Sequence, residues 1–141
     1  MHDKPMILVV DDEETICDLI YDGLVEEGFT CDIASNASDA LTKLERQSYD
    51  IALLDIVLPG ISGVDLLKMI ESRSPTTAII MVSGMNDLQT AVEIMKMGAS
   101  DYIVKPFTLN QLNSSINTLL NSKNSTLTAM TSTATGTVTI R

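Results

Sequence analysis

The sequence predicts a doubly wound α/β fold, a five-stranded parallel sheet in the order 2-1-3-4-5 with helices on both faces. Three observations predict it. Strand-like and helix-like patterns alternate five times along the chain, which implies parallel strands joined by right-handed helical crossovers. The strand segments are near-continuously apolar, as expected where helices cover both faces of a sheet. Four of the apolar runs end in polar side chains at their carboxyl ends, where an open α/β sheet builds a ligand site.

The first strand is Met6–Val10, apolar and β-branched. A helix over Glu14–Glu27 comes next, with Ile16, Leu19, Ile20, Gly23 and Leu24 at helical spacing, and Gly28 stops it. Thr30–Ala34 is a short second strand, and Ser38–Gln47 a helix with Leu41 and Leu44 on one face. Ile51–Leu54 is the third strand; Gly63–Ser72 is the third helix, with Leu66, Leu67 and Ile70 apolar. Ala78–Val82 is the fourth strand. Asp87–Met97 is the fourth helix, with Leu88, Ala91, Val92 and Met95 as its stripe and Gly98 at its end. Tyr102–Val104 is the fifth strand, and Leu109–Leu120 the last helix, with a seam of Leu109, Leu112, Ile116 and Leu119. Met81 and Met95 read as core filling, Met85 and Met97 as partner contacts, because methionine adapts to several surfaces.

Near Ser122 the character changes: nine of the eighteen residues from Asn124 to Arg141 are Ser or Thr, and Arg141 is the one charged side chain. Residues 1–122 therefore read as one domain and 123–141 as a poorly ordered linker or tail. Thr137–Ile140 alternates and can pair as an edge strand. The linker-like tail favours a domain excised from a longer protein over a single-domain one.

The 141 residues suffice for one domain with a real core, and 45% hydrophobic residues is a globular composition. No Trp and 4% aromatic residues leave little for stacking on nucleic acid. A net charge of -10, from 19 acidic and 9 basic side chains, disfavours direct nucleic-acid binding and suits a divalent cation or a basic partner. Cys17 and Cys31 form no metal-type pair, and His2, the one histidine, lies at the N-terminus, so structural zinc and Cys/His catalysis are not expected. Two buried free thiols in a cytoplasmic protein are the expectation. No signal peptide is visible, and no apolar run approaches the ~18 residues that span a membrane.

Asp55 closes the run Ile51–Leu54, and Asp11-Asp12 closes Ile7–Val10. A carboxylate at the end of a buried strand is costly unless something uses its charge. Three carboxylates brought together raise one another's pKa, and a bound Mg²⁺ removes that penalty. Lys105, ending the fifth strand, adds a counter-charge; Ser83, ending the fourth, offers a hydroxyl to a phosphoryl oxygen. Together these are a nucleophile, a metal site, a counter-charge and a donor, the parts required for phosphoryl transfer to an aspartate. Each has a plainer reading: an acidic first helical turn for Asp11-Asp12-Glu13-Glu14, a loop serine for Ser83, a core tyrosine for Tyr102 and a solvated lysine for Lys105.

At this point the sequence resembles the receiver domain of bacterial two-component response regulators, from about Pro5 to Ser122. The matching segments are Ile7-Leu-Val-Val-Asp-Asp-Glu-Glu14, Leu54-Asp-Ile-Val-Leu-Pro-Gly60, Met81-Val-Ser-Gly84 and Asp101-Tyr-Ile-Val-Lys-Pro-Phe107, with spacings of 43 (12 to 55), 28 (55 to 83) and 22 (83 to 105). The resemblance implies that Asp55 is the phospho-acceptor for a histidine kinase or phosphotransfer protein. It implies that Asp12 and Asp55 ligate Mg²⁺ directly, Asp11 acts through water, and the Val57 backbone carbonyl completes the protein ligands. Ser83 and Tyr102 become a switch pair, Lys105 pairs with Asp55 or the phosphoryl group, and the Lys105–Pro106 peptide is expected cis. The face of the fourth helix, fifth strand and fifth helix would pass the signal to an output domain or effector, often by forming a homodimer. Such a domain is not an enzyme beyond its own phosphorylation and dephosphorylation. Val57 and Met85, two residues after Asp55 and Ser83, are apolar and cannot orient an attacking water, so slow self-dephosphorylation is expected.

Three alternatives compete. A haloacid-dehalogenase-like phosphatase wants a second Asp where Val57 stands. A flavodoxin-like FMN carrier shares the strand order, but Asp-Asp-Glu-Glu would repel its phosphate. A phosphorylation-independent interaction module would lack part of the acidic set, and none is missing.

Overall fold

The computed structural model describes residues 4–84 and 88–131, with side chains to Ser122. Five strands and five helices alternate: β1 (Met6–Val10), α1 (Glu14–Glu26), β2 (Thr30–Ala34), α2 (Ala37–Arg46), β3 (Ile51–Asp55), α3 (Gly63–Arg73), β4 (Ala78–Ser83), α4 (Leu88–Lys96), β5 (Asp101–Val104) and α5 (Leu109–Thr131). All pairings are parallel and the order is β2-β1-β3-β4-β5, as the alternating pattern predicts. The β1/β3 boundary is the switch point of the winding, where such sheets open a crevice at their carboxyl ends.

The sheet separates two apolar layers. Leu8, Val10, Leu54, Ile79 and Met81 face one, under α2, α3 and α4; Ile7, Val9, Ile51, Leu53 and Ile80 face the other, under α1 and α5. Alternate residues of one strand enter opposite layers, the period-2 geometry of a strand buried on both sides. Local signals set the helix ends. Asn36 and Ser62 cap α2 and α3, their side-chain oxygens accepting from Asp39 N and Asp65 N at 2.8 and 3.2 Å. Gly28 and Gly98 lie just past α1 and α4 at φ of 96° and 115°, a conformation that favours glycine.

Four details depart from the sequence reading. In α1 the buried stripe is Cys17, Ile20 and Leu24, and Leu19 is 61% exposed. In α4 the buried residue is Ile94, while Leu88 is 80% exposed and Val92 and Met95 are also exposed, so Met95 is not core. The reason is common to both helices: each carries two adjacent apolar faces, and periodicity does not say which one the sheet covers. Asp55 and Ser83 are the last residues of β3 and β4, one residue beyond the expected strand ends. Finally, α5 continues past Leu120 to Thr131. Met81 is fully buried, and Cys17 and Cys31 are buried free thiols, as expected. His2, Met85, the Asp87 start of the fourth helix and the Thr137–Ile140 alternation lie outside the described residues. Among the described residues no helix is long and apolar enough to cross a membrane.

Candidate functional site

Register assembles the site. Val10 pairs with Leu54, so the next residues, Asp11 and Asp55, leave the sheet side by side. Ser83 pairs with Val104, which places Lys105 next, and Lys105 N donates to Ser83 O at 2.7 Å. Four segments far apart in sequence thus end at one crevice because parallel strands in register end together.

Carboxylate oxygens of Asp11, Asp12 and Asp55 lie within 4.8 Å of one another. Asp11 and Asp55 are buried and Asp12 is exposed. Lys105 Nζ lies 2.9 Å from Asp55 Oδ2 and 3.3 Å from Asp11 Oδ2. The other oxygens of these two carboxylates take backbone donors: Glu13 N to Asp11 Oδ1 at 2.9 Å and Val57 N to Asp55 Oδ1 at 3.0 Å. Beneath them, Cys17 Sγ donates to the Asp11 carbonyl at 3.2 Å.

The electrostatics arise from crowding. Burial pushes the Asp11 carboxyl above its ordinary value, aided by the Asp55 charge, and the Glu13 amide and Lys105 offset this only in part. Burial alone would lower Lys105, but its hydrogen bond to Asp55 and the charges of Asp11 and Asp55 outweigh that, so its ammonium is held more firmly than usual. One lysine thus serves several carboxylates, and acceptor capacity is left over. Hard oxygen donors converging with a charge excess fit a hard divalent cation such as Mg²⁺.

Ser83 is buried beside this cluster, and Tyr102 is half-buried against the α2/α3/α4 layer. The Lys105–Pro106 peptide is cis. The Val57 side chain is 69% exposed. Asp11, Asp12, Asp55, Ser83 and Lys105 are therefore brought to one end of the sheet. Two further groups contribute that the sequence does not single out. Glu13 Oε1 lies 3.7 Å from Lys105 Nζ, and its amide holds Asp11; its place in the Asp-Asp-Glu-Glu run was the available signal. The Val57 amide donor carries no sequence signal, because every non-proline residue has one.

A doubly wound sheet with an acidic cluster and a lysine at its switch point defines a receiver-type domain. A family model described as the response regulator receiver domain matches residues 7–117, and the chain belongs to that family. An NtrX-like response regulator of Rickettsia felis is 43% identical over 108 residues, covering 75% of this chain and 23% of the relative, so the chain spans under a quarter of that protein's length. A CheY-like receiver domain from Methanospirillum hungatei superposes with a TM-score of 0.82 at 34% identity, covering 86% of this chain and 98% of that one. The response regulator TrrA of Thermotoga maritima, solved in complex with Mg(2+)-BeF, gives a TM-score of 0.74 at 34% identity, covering 82% and 98%.

Proposed function

We propose that this receiver domain works by accepting a phosphoryl group on Asp55 from the phosphohistidine of a histidine kinase or phosphotransfer protein in the cytoplasm. The observation that carries the reading is the state of the Asp55 carboxylate: buried, with Lys105 Nζ on Oδ2 and the Val57 amide on Oδ1. It is pre-aimed at the crevice, and a nucleophile held in place lowers the barrier by orientation. An Asp55 oxygen attacks phosphorus, the P–N bond to the donor imidazole breaks, the imidazole leaves with its bonding pair and takes up a proton, and an aspartyl phosphate remains.

Asp11, Asp12, Asp55 and the Val57 carbonyl are the groups that would hold Mg²⁺, which when bound supplies positive charge to the transferring phosphoryl oxygens. Lys105, already on Asp55, would move its hydrogen bond to a phosphoryl oxygen. Ser83 would donate to another, and Tyr102 would turn inward behind it. The resulting change at α4, β5 and α5 would reach an output domain, an effector or a second copy of the chain. Residues 1–122 form the receiver in this reading, and 123–141 the connection to an output domain. The domain turns over no substrate beyond its own phosphorylation and dephosphorylation.

Incubation with acetyl phosphate and Mg²⁺, with intact mass as the readout, tests this. A gain of one phosphoryl group in the wild type, absent in Asp55→Asn, is expected. Steady phosphate release without a stable mass gain would instead favour an aspartyl phosphatase, and no reaction would favour an interaction module.

A further inference from the structure

The first turn of α3 lies against the backbone that carries Asp55. A Cβ built on Gly63 would stand 2.1 Å from Asp55 O, 2.7 Å from Ile56 Cα and 2.9 Å from Asp55 C. All three atoms are backbone, so no side chain can turn aside to make room. Gly84, by contrast, has nothing within 4 Å of the same built atom. Gly63 N also donates to Ile56 O at 2.7 Å, and Ile56 N donates to Val82 O at 3.0 Å. The backbone of Ile56 is thus held at both of its peptides, the Asp55–Ile56 peptide by β4 through Ile56 N and the Ile56–Val57 peptide by α3 through Ile56 O. The next residue is Val57, whose amide holds Asp55 Oδ1. Ser62 supports the arrangement by capping the same helical turn through Asp65 N.

We propose that Gly63 is a positioning residue for the phospho-acceptor. Its missing side chain lets α3 seat directly on the Asp55–Ile56 peptide, and that seat fixes both the Asp55 carboxylate and the Val57 backbone. The inference rests on the phospho-acceptor reading above. Adding one methyl group at Gly63 must displace either α3 or the Asp55 segment. The helix is tied to the core by Leu66, Leu67 and Ile70, all fully buried, so the Asp55–Ile56 backbone at the end of β3 gives way. Displacing a reacting group by about 1 Å can lower a rate on the order of a hundredfold.

The test compares wild type, Gly63→Ala, Ser62→Ala and Leu24→Ala for Mg²⁺-dependent phosphorylation by acetyl phosphate, with thermal unfolding alongside. Gly63→Ala should raise the half-saturating Mg²⁺ concentration and lower the rate at saturating Mg²⁺, each by about tenfold or more. Ser62→Ala, which loosens the same turn without a clash, should shift both in the same direction by about two- to threefold, on the scale of a lost cap. Leu24→Ala, at a fully buried residue of α1 in the opposite layer, should lower Tm and leave the Mg²⁺ requirement unchanged. A Gly63→Ala protein that loses Tm but keeps the wild-type Mg²⁺ requirement and rate overturns the proposal. Should Gly63→Ala not fold, Ser62→Ala decides: an unchanged Mg²⁺ requirement overturns it. Failure of the wild type to gain phosphate overturns the phospho-acceptor reading instead, so the two failures are distinguishable.

Discussion

Acidic side chains stand at both ends of this sheet, and their partners differ. Toward the amino end and along the β2 edge, each carboxylate meets local donors. Asp50 Oδ2 accepts from Met6 N at 2.8 Å. Asp32 Oδ2 accepts from Tyr49 Oη at 2.5 Å and Gln47 Nε2 at 3.1 Å. Asp101, opening β5, accepts from Tyr102 N at 2.8 Å and from the Ser115 hydroxyl. Thr77 Oγ1 donates to Tyr49 O at 2.8 Å and ties this network to β4. At the carboxyl end Asp11, Glu13 and Asp55 converge on one lysine. Carboxylates that each have neutral donors of their own make a structural joint, whereas carboxylates crowded onto one shared cation make a candidate binding site. Residue type does not distinguish the two ends; convergence does, since carboxylates of Asp11, Asp12 and Asp55 crowd within 4.8 Å of one another around one lysine.

The largest expected effect breaks the carboxyl end outright. Asp55→Asn should abolish the phosphoryl mass gain, and a gain of wild-type size would refute the acceptor assignment. Lys105→Met removes the counter-charge and should slow phosphorylation by about a hundredfold, the scale of losing one preorganised donor; initial rates with acetyl phosphate read it directly.

The crowding itself can be titrated. Asp11 has a native pKa above its ordinary 3.8, so the folded state binds the proton more tightly than the unfolded state does. Its contribution to stability therefore falls as pH rises from the ordinary value through the native one. Without Mg²⁺, Asp11→Asn should equal or trail the wild type in Tm at low pH and exceed it at pH 7, and added Mg²⁺ should raise Tm of the wild type more. A Tm difference independent of pH would refute the account.

At the other end, Tyr49→Phe deletes a donor to Asp32 and should cost about 1–2 kcal/mol of stability. Denaturant unfolding measures it, and phosphorylation should stay at the wild-type rate; a comparable loss of phosphorylation would mean the two ends are coupled. The smallest effect concerns persistence. Val57→Asn places an amide beside the acyl phosphate and should shorten its lifetime a few-fold. A lifetime equal to or longer than the wild type's would sink that idea.

Much of this was legible in the chain. The helix stops at Gly28 and Gly98, the buried run Leu66-Leu67-Ile70 and the seam Leu112–Ile116 rest on local conformational preference and periodicity, which a sequence carries openly. Asp11, Asp12, Asp55, Ser83 and Lys105 were legible because each ends an apolar run, and a buried run that ends in charge calls for an explanation. Leu19 and the Leu88–Val92–Met95 stripe misled because they have the spacing of core residues but face away from the sheet. Gly63 was legible only as the start of a helix, because what it touches lies on another element.

The sequence by itself determined that strands and helices alternate, that the sheet is buried on both faces and that polar groups stand at the strand ends. These depend on interactions a few residues apart and on the period of the pattern. Only the tertiary structure decided which apolar face of α1 and α4 is covered, that one lysine serves Asp11, Glu13 and Asp55 together, and that α3 rests on the Asp55 peptide. Those outcomes depend on distances between segments tens of residues apart, which exist only once the parallel register has brought the strand ends together.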